Sequence, residues 1–281
     1  MQDLRVGQRV AAACRRGGYA EHAVVDARDV IALPDTMAFT DAAALPLNYP
    51  TAWAALVRIA HVQPGERVLV HAAAGGVGIA ATQLAKHLGA EVWGTASSAK
   101  HQTIRTLGVD HPVDYHTRRW PKTLPALDVV LDPLGGASLR TSLQLLRPGG
   151  RLVAYGAQSA VTGPRRNPAA IARTLLLTPR PNPLRLIEQT KTIAGFSVQT
   201  YWNAWGHLQP LIAPLTPLLN DGTIAPVIAQ TLPLDAAADA HRRLVEGHTI
   251  GKLVLQPAAN PTEQPLAGAT DRTPAATTPT R

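Results

Sequence analysis

The chain has 281 residues, 46% of them hydrophobic and 4% aromatic, with a formal net charge of +8 and one cysteine, Cys14. Such a composition excludes global disorder. One cysteine excludes an internal disulfide and a multi-cysteine zinc site, and no apolar run approaches the roughly 20 residues of a membrane-spanning helix.

In chain order, residues 4–33 read as short strands, "RVGQRVAAA", "GYAEHAVVD" and "VIALP", with no apolar leader before them. In "TDAAALPLNYPTAWAAL", Thr40 is a helix cap and Pro46 and Pro50 divide two short helices. From Arg67 the pattern turns to strand–helix alternation. Strands are predicted over Arg67–His71, Glu91–Thr95, Pro112–Asp114, Asp128–Asp132, Arg151–Tyr155 and Ile193–Val198. Helices are predicted over Val77–Leu88, Ala99–Leu107 and Leu139–Leu145. This spacing predicts an α/β fold, a doubly wound parallel sheet of the Rossmann type covered on both faces.

Residues 157–192, rich in Pro and Arg, read as a lid-like excursion, helical at "AAIARTLLL". A helix follows over 204–221, ended by Gly222. "PVIAQTLP", a helix over Asp235–Glu246 and "GKLVLQP" close the fold, and the Pro-, Thr- and Ala-rich stretch 257–281 reads as a disordered tail. Basic residues are scattered, with a mild concentration between Arg165 and Lys191. Without a recognition motif they suit solubility or a phosphorylated cofactor better than nucleic acid. The cysteine usage fits a reducing, cytoplasmic setting.

The stretch "HAAAGGVG", His71–Gly78, joins the strand "RVLV" to a helix. On the G-x-G-x-x-G template, Ala73 replaces the first glycine. Gly75 still admits a pyrophosphate to the backbone, and Gly78 still lets helix and strand pack closely. The helix N-terminus offers free N–H groups to phosphate; a merely tight turn is the plain alternative. In the second strand, "VWGTASSAK", no carboxylate follows Glu91 until Asp110. Ser97, Ser98 and Lys100 offer hydroxyls and a cation instead, which suits the 2′-phosphate of NADP over the free ribose of NAD. A solvated loop with a surface lysine is the alternative there.

"GGYAEHAVV", "AAALPLNYPTAWAAL", "VLVHAAAGGVGIAATQLAKHLGAEV" and "VDYHTR" resemble the medium-chain dehydrogenase/reductase superfamily in its zinc-independent quinone oxidoreductase group. "DVVLDPLGG", "NPLRLIEQTKTIAGFS" and "GTIAPVI" are similar to its vesicle amine transport protein-like branch. The resemblance implies a partial GroES-like domain over 1–47, a Rossmann-type NADP-binding domain over 48–222 and a return to the GroES-like domain over 223–256. It implies NADPH as cofactor and a homodimer. It places the phosphates on Gly75, Gly76 and Val77, and the 2′-phosphate near Ser97, Lys100 and Tyr115. Asn48 and Thr51 fall on the nicotinamide side, with Asn48 and Tyr49 as catalytic candidates by location. Gly156 and Phe196 line the cleft, and Lys252 lies near the cofactor. Each has a plainer alternative: Asn48 as a helix cap, Thr51 bonding only backbone, Tyr115 as a packing aromatic, Lys252 as a structural residue.

Zinc-dependent members carry a cysteine-rich lobe after the motif matched by "VGQRV"; here only Cys14 follows it. His61, His71, His101 and His207 read as surface or packed residues, so no metal is expected. Most of the first half of the GroES-like domain would precede Met1, through either a misassigned start or a natural truncation. The expected function is NADPH-dependent reduction of a quinone or an α,β-unsaturated carbonyl by hydride transfer. The alternatives are an NADP-binding adaptor with little turnover, held peripherally at a membrane or on a protein, and an inactive truncated remnant.

Overall fold

The computed structural model describes residues 4–158 and 168–258; residues 159–167 of the predicted excursion and 259–281 of the predicted tail lie outside them. Near the start, β1 (Val10–Ala12) and β2 (Val30–Ala32) pair antiparallel, with Ala11 opposite Ile31. The expected strand "GYAEHAVVD" is not one. Tyr19 and Val24 in it are exposed, and among the described residues no ladder pairs with it. Alternation makes a strand only where a neighbouring backbone completes its hydrogen bonds.

Two short helices follow, α1 (Phe39–Ala42) and α2 (Leu45–Trp53). Thr40 lies inside α1 rather than capping it, because the extended residue at the helix start is Ala38. Pro46 occupies the first turn of α2, where a missing N–H costs nothing. Pro50 sits within α2 instead of dividing two helices. The helix continues through it because Leu45, Tyr49 and Ala52 are buried along its flank. It then loosens into a π-helical turn over Ala54–Ile59, where the Ala60 N–H reaches back to the Ala55 carbonyl at 2.9 Å.

The alternating segment forms as predicted, with boundaries shifted by a few residues. In order it comprises β3 (Arg67–Val70), α3 (Gly76–His87), β4 (Glu91–Ala96), α4 (His101–Thr106), β5 (His111–Asp114), β6 (Leu127–Asp132), α5 (Ala137–Leu145) and β7 (Leu146–Ala154). After β7 come α6 (Pro168–Leu177), α7 (Pro183–Gln189) and β8 (Thr192–Gly195). The six strands from β3 to β8 form one parallel sheet in the order β5-β4-β3-β6-β7-β8. Period-two geometry sends Leu69, Val130 and Leu152 into one apolar layer and Val68, Val70, Val129 and Leu131 into the other. Strand order reverses between β3 and β6, which opens a crevice at their carboxyl ends.

The helix predicted over 204–221 is broken into α8 (Val198–Trp205), α9 (Gln209–Ile212) and α10 (Leu215–Asn220). Gly206, in the left-handed region, ends α8, and Pro210 starts α9. Ser197 caps α8, so β8 stops short of the predicted Val198. Gly222 follows α10 with φ of 78°, as predicted. The chain closes with β9 (Ile228–Pro233), α11 (Ala237–Glu246) and β10 (Lys252–Gln256), β9 and β10 pairing in parallel.

Candidate functional site

The glycine turn sits at the crevice, between the end of β3 and the start of α3. Gly75 holds the N-cap position of α3, its N–H donating to the Ala72 carbonyl at 2.9 Å. The amides of Gly76, Val77 and Gly78 open the helix and have no partner carbonyl one turn earlier. A side chain at Gly78 would strike the Ala72 carbonyl oxygen and come within 2.8 Å of Ala73 Cα, so this glycine serves helix–strand packing. A Cβ at Gly76 would lie 2.7 Å from Asn48 Nδ2 and 2.8 Å from Lys252 Cδ. Three residues far apart in sequence, Asn48, Gly76 and Lys252, therefore share one spot at the mouth of the crevice.

Two elements bring those partners in. Asn48 is buried in α2, its Nδ2 donating to the Ala44 carbonyl at 2.9 Å. Lys252 opens β10 and is delivered by Gly251, whose N–H donates to the Ala74 carbonyl at 2.9 Å and which bridges to Gly75. Gly251 has φ of 86°, and a side chain there would strike the Val227 carbonyl. Burial pushes the Lys252 ammonium below its ordinary range. An ammonium sheltered in this way beside free helix N–H groups is suited to neutralise an anionic ligand.

Lys100 lies at the far rim, just after β4. Its Nζ donates to the carbonyls of Gly247 (2.6 Å) and Thr249 (2.9 Å), and burial lowers its pKa. The cation is thus fixed to the same returning segment that carries Lys252, with one N–H left for a ligand. Ser97 caps the turn Ser98–Lys100 by position and makes no side-chain cap bond. Tyr115, at the end of β5, is exposed and lies 4.3 Å, centroid to centroid, from His116.

The other expected residues are placed differently. Tyr49 turns away from the crevice; its hydroxyl donates to Gln83 Oε1 at 2.7 Å, and burial pushes it well above the usual phenol range. Thr51 donates its hydroxyl to the Leu47 carbonyl at 2.6 Å. Phe196 is packed in the core, 5.4 Å from the Tyr201 ring. Gly156 marks a close approach: a Cβ there would lie 2.7 Å from the Pro133 carbonyl oxygen. It draws the end of β7 against the loop after β6.

Sequence reasoning passed over Asp132. It ends β6, is fully buried, and accepts N–H bonds from Leu134 and Gly135 and the hydroxyl of Ser142. An acid closing the otherwise apolar run "VVL" was the available signal, since a buried carboxylate needs donors. His71, read as a surface or packed residue, is buried beside Ser142 and Thr95.

Comparison with known proteins supplies the family. A family model for zinc-binding dehydrogenases matches residues 107–255. The synaptic vesicle membrane protein VAT-1 homolog of Danio rerio is 38% identical over 259 residues, covering 90% of this chain and 54% of that relative. This chain therefore spans about half of that relative's length. The crystal structure of the human VAT-1 homolog-like protein superposes with a TM-score of 0.75 at 30% identity, covering 93% of this chain and 75% of that one. The quinone oxidoreductase of Thermus thermophilus, solved also as its complex with NADPH, gives a TM-score of 0.75 at 31% identity over 90% of this chain and 78% of that one.

A nicotinamide dinucleotide fits the crevice: the Gly76 spot excludes a side chain, and free helix amides face it. Among the described residues no three His, Cys, Asp or Glu side chains come together in a group that could hold a metal. The chain belongs to the medium-chain dehydrogenase/reductase superfamily, as an oxidoreductase-type member of the branch that holds the VAT-1 homologues and the quinone oxidoreductases.

Proposed function

We propose that this chain binds NADPH in the crevice between β3 and β6 and serves the reduction of a quinone or an α,β-unsaturated carbonyl. The observation that carries this reading is the convergence of Asn48 and Lys252 on Gly76 at the N-terminus of α3. When bound, the dinucleotide supplies a hydride to an electron-poor carbon. The amides of Gly76 and Val77 receive the pyrophosphate, with the Lys252 ammonium as counter-charge. Lys100 offers its remaining N–H, and Ser97 its hydroxyl, to the 2′-phosphate. Asn48, anchored through Nδ2, keeps its amide oxygen and second N–H to orient the nicotinamide side. Calorimetric titration with NADPH and NADH tests the cofactor, and NADPH oxidation on a panel of quinones and enones tests the chemistry. A preference for NADPH of about tenfold or more supports the reading; equal affinities, or none, remove its basis.

One observation favours a second reading, an NADP-binding protein associated with a membrane. Leu175, Leu176, Leu184 and Ile187 on α6 and α7 are exposed, with Arg173, Arg180 and Arg185 exposed among them. Apolar side chains set among cations suit an acidic bilayer surface. No helix among the described residues is long and apolar enough to cross a membrane. Salt-sensitive cosedimentation with acidic vesicles, without NADPH turnover on the panel, would favour this reading. The homodimer implied by the superfamily is part of the first reading and is checked by analytical ultracentrifugation.

A further inference from the structure

Beneath the glycine turn runs a buried polar chain that the hydride-transfer reading leaves unused. Asp132 Oδ1 accepts the N–H groups of Leu134 (2.7 Å) and Gly135 (3.1 Å), and Oδ2 accepts the Ser142 hydroxyl at 2.8 Å. Ser142 Oγ lies 3.1 Å from His71 Nε2, and His71 Nδ1 lies 3.2 Å from Thr95 Oγ1. Thr95 Oγ1 in turn accepts the Ala72 N–H at 3.1 Å. Asp132 and Ser142 are fully buried, and His71 and Thr95 are 2% exposed.

The protons on this chain follow by elimination. An ionised Asp132 only accepts, so the Ser142 proton points at it. Ser142 is then left with lone pairs toward His71, so Nε2 carries the imidazole proton. Thr95 Oγ1 takes the Ala72 N–H on one side, and its own proton points at Nδ1, which must be bare. A neutral His71, protonated on Nε2, satisfies every group. Burial holds its pKa below the ordinary histidine value, and the charge of Asp132 opposes this only in part.

The far end of the chain is Ala72, whose φ of 53° lies in the left-handed region that non-glycine residues avoid. Its carbonyl receives the Gly75 N–H and lies where a Gly78 side chain would be. The orientation of Ala72 therefore sets Gly75 and the first amides of α3.

We propose that His71 is a positioning residue for the dinucleotide cradle. Through the Thr95 hydroxyl it fixes Ala72, and with it the amides of Gly75, Gly76 and Val77. Through Ser142 and Asp132 it locks that turn to the loop after β6, on the opposite side of the crevice. The inference rests on the dinucleotide reading proposed above.

Calorimetric titration of the full chain tests it. Thr95→Val should weaken NADPH binding about tenfold, and Thr95→Ser should restore it to within about twofold. Adenosine 2′-monophosphate, which has no pyrophosphate, should bind the wild type and Thr95→Val equally, whereas general loosening of the fold would weaken both ligands. Unchanged NADPH affinity in Thr95→Val, no rescue by Thr95→Ser, or parallel loss of the monophosphate each overturns the proposal. Nitrogen-15 NMR of the wild-type histidines, with the signal assigned through His71→Gln, reads the tautomer without any ligand. Neutral imidazole protonated on Nε2 at pH 7 is expected; protonation on Nδ1, or imidazolium, overturns the proposal while leaving NADPH binding intact. A wild type with no NADPH affinity overturns the dinucleotide reading and this inference with it.

Discussion

Gly76 and Gly78 are two positions apart and serve different ends. A methyl at Gly76 meets the Asn48 amide and the Lys252 stem and must displace them, whereas at Gly78 it meets backbone. Gly76→Ala is therefore expected to weaken NADPH binding about tenfold with little change in melting temperature. Gly78→Ala is expected to cost about 2–4 kcal/mol of stability, read by denaturant unfolding. The sequence spacing made the turn legible as a cradle, and Gly75 and Gly78 carried the signal. Asn48 and Lys252 entered the sequence reading only through the family resemblance, because nothing local to either residue says that both lie over Gly76. Tyr49 illustrates the limit: one residue beyond Asn48 on a helix, it faces about 100° away, toward Gln83.

His71 carries a pH prediction at the same scale. A histidine whose pKa is lowered on folding binds fewer protons in the native than in the unfolded chain. Its neutral state thus favours folding above the unfolded value near 6.5, and that advantage falls away as the pH drops through it. The groups facing it are Asp132 from β6, Ser142 from α5, Thr95 from β4 and the edge of the Trp120 ring. The expected outcome is that wild type loses more melting temperature between pH 7.5 and pH 5.5, values of about one unit either side, than His71→Gln does. Equal losses would count against a buried neutral imidazole.

Among the elements, the sheet strands were the most legible, because runs such as "RVLV" and "DVVLD" are buried on both faces and leave little choice of conformation. The errors fell where a partner or a proline decides. "GYAEHAVVD" has the alternation of a strand without a neighbour to bond, and Pro50 is carried inside α2 by the burial of the helix flank. A strand end is also held by a single side chain. Asp128, at the start of β6, accepts the Arg67 N–H at 2.9 Å and pairs with Arg147, fixing the start of β3 against its neighbour. Asp128→Ala leaves the partly buried Arg67 N–H without its acceptor and is expected to cost about 2–3 kcal/mol. Asp128→Asn, which keeps one carbonyl oxygen, should recover part of it; chemical denaturation of the two variants measures the difference.

Across the whole molecule, the site is assembled from both ends of the described chain. Gln83 on α3 accepts from Tyr49 and from the Ala225 N–H, and donates to the Ala225 carbonyl at 2.8 Å, so α2, α3 and the returning segment meet at one amide. At the opposite side, buried Asp29 accepts the Trp202 Nε1 proton at 2.8 Å and the Leu208 N–H at 2.5 Å, tying the segment before β2 to α8 and α9. None of these links has a sequence-local signature. Gly251→Ala, forced against the Val227 backbone, is expected to weaken NADPH binding while leaving the far-ultraviolet circular dichroism of the sheet and helices unchanged. An unaltered affinity would show that the returning segment is dispensable for binding.

The bridge from Gly251 to the glycine turn has a consequence for biosynthesis. All six sheet strands have emerged from the ribosome before the segment that carries Lys252, so a nascent chain can build its sheet while its grip on nucleotide is still open. Under the proposed function, NADPH would then act as a seal on the finished product and not as a template for its making. Ribosome-arrested chains ending before Val227, followed by a linker that fills the exit tunnel, should resist protease across the sheet to the same degree whether or not the dinucleotide is present, and released full-length chains should gain resistance from it.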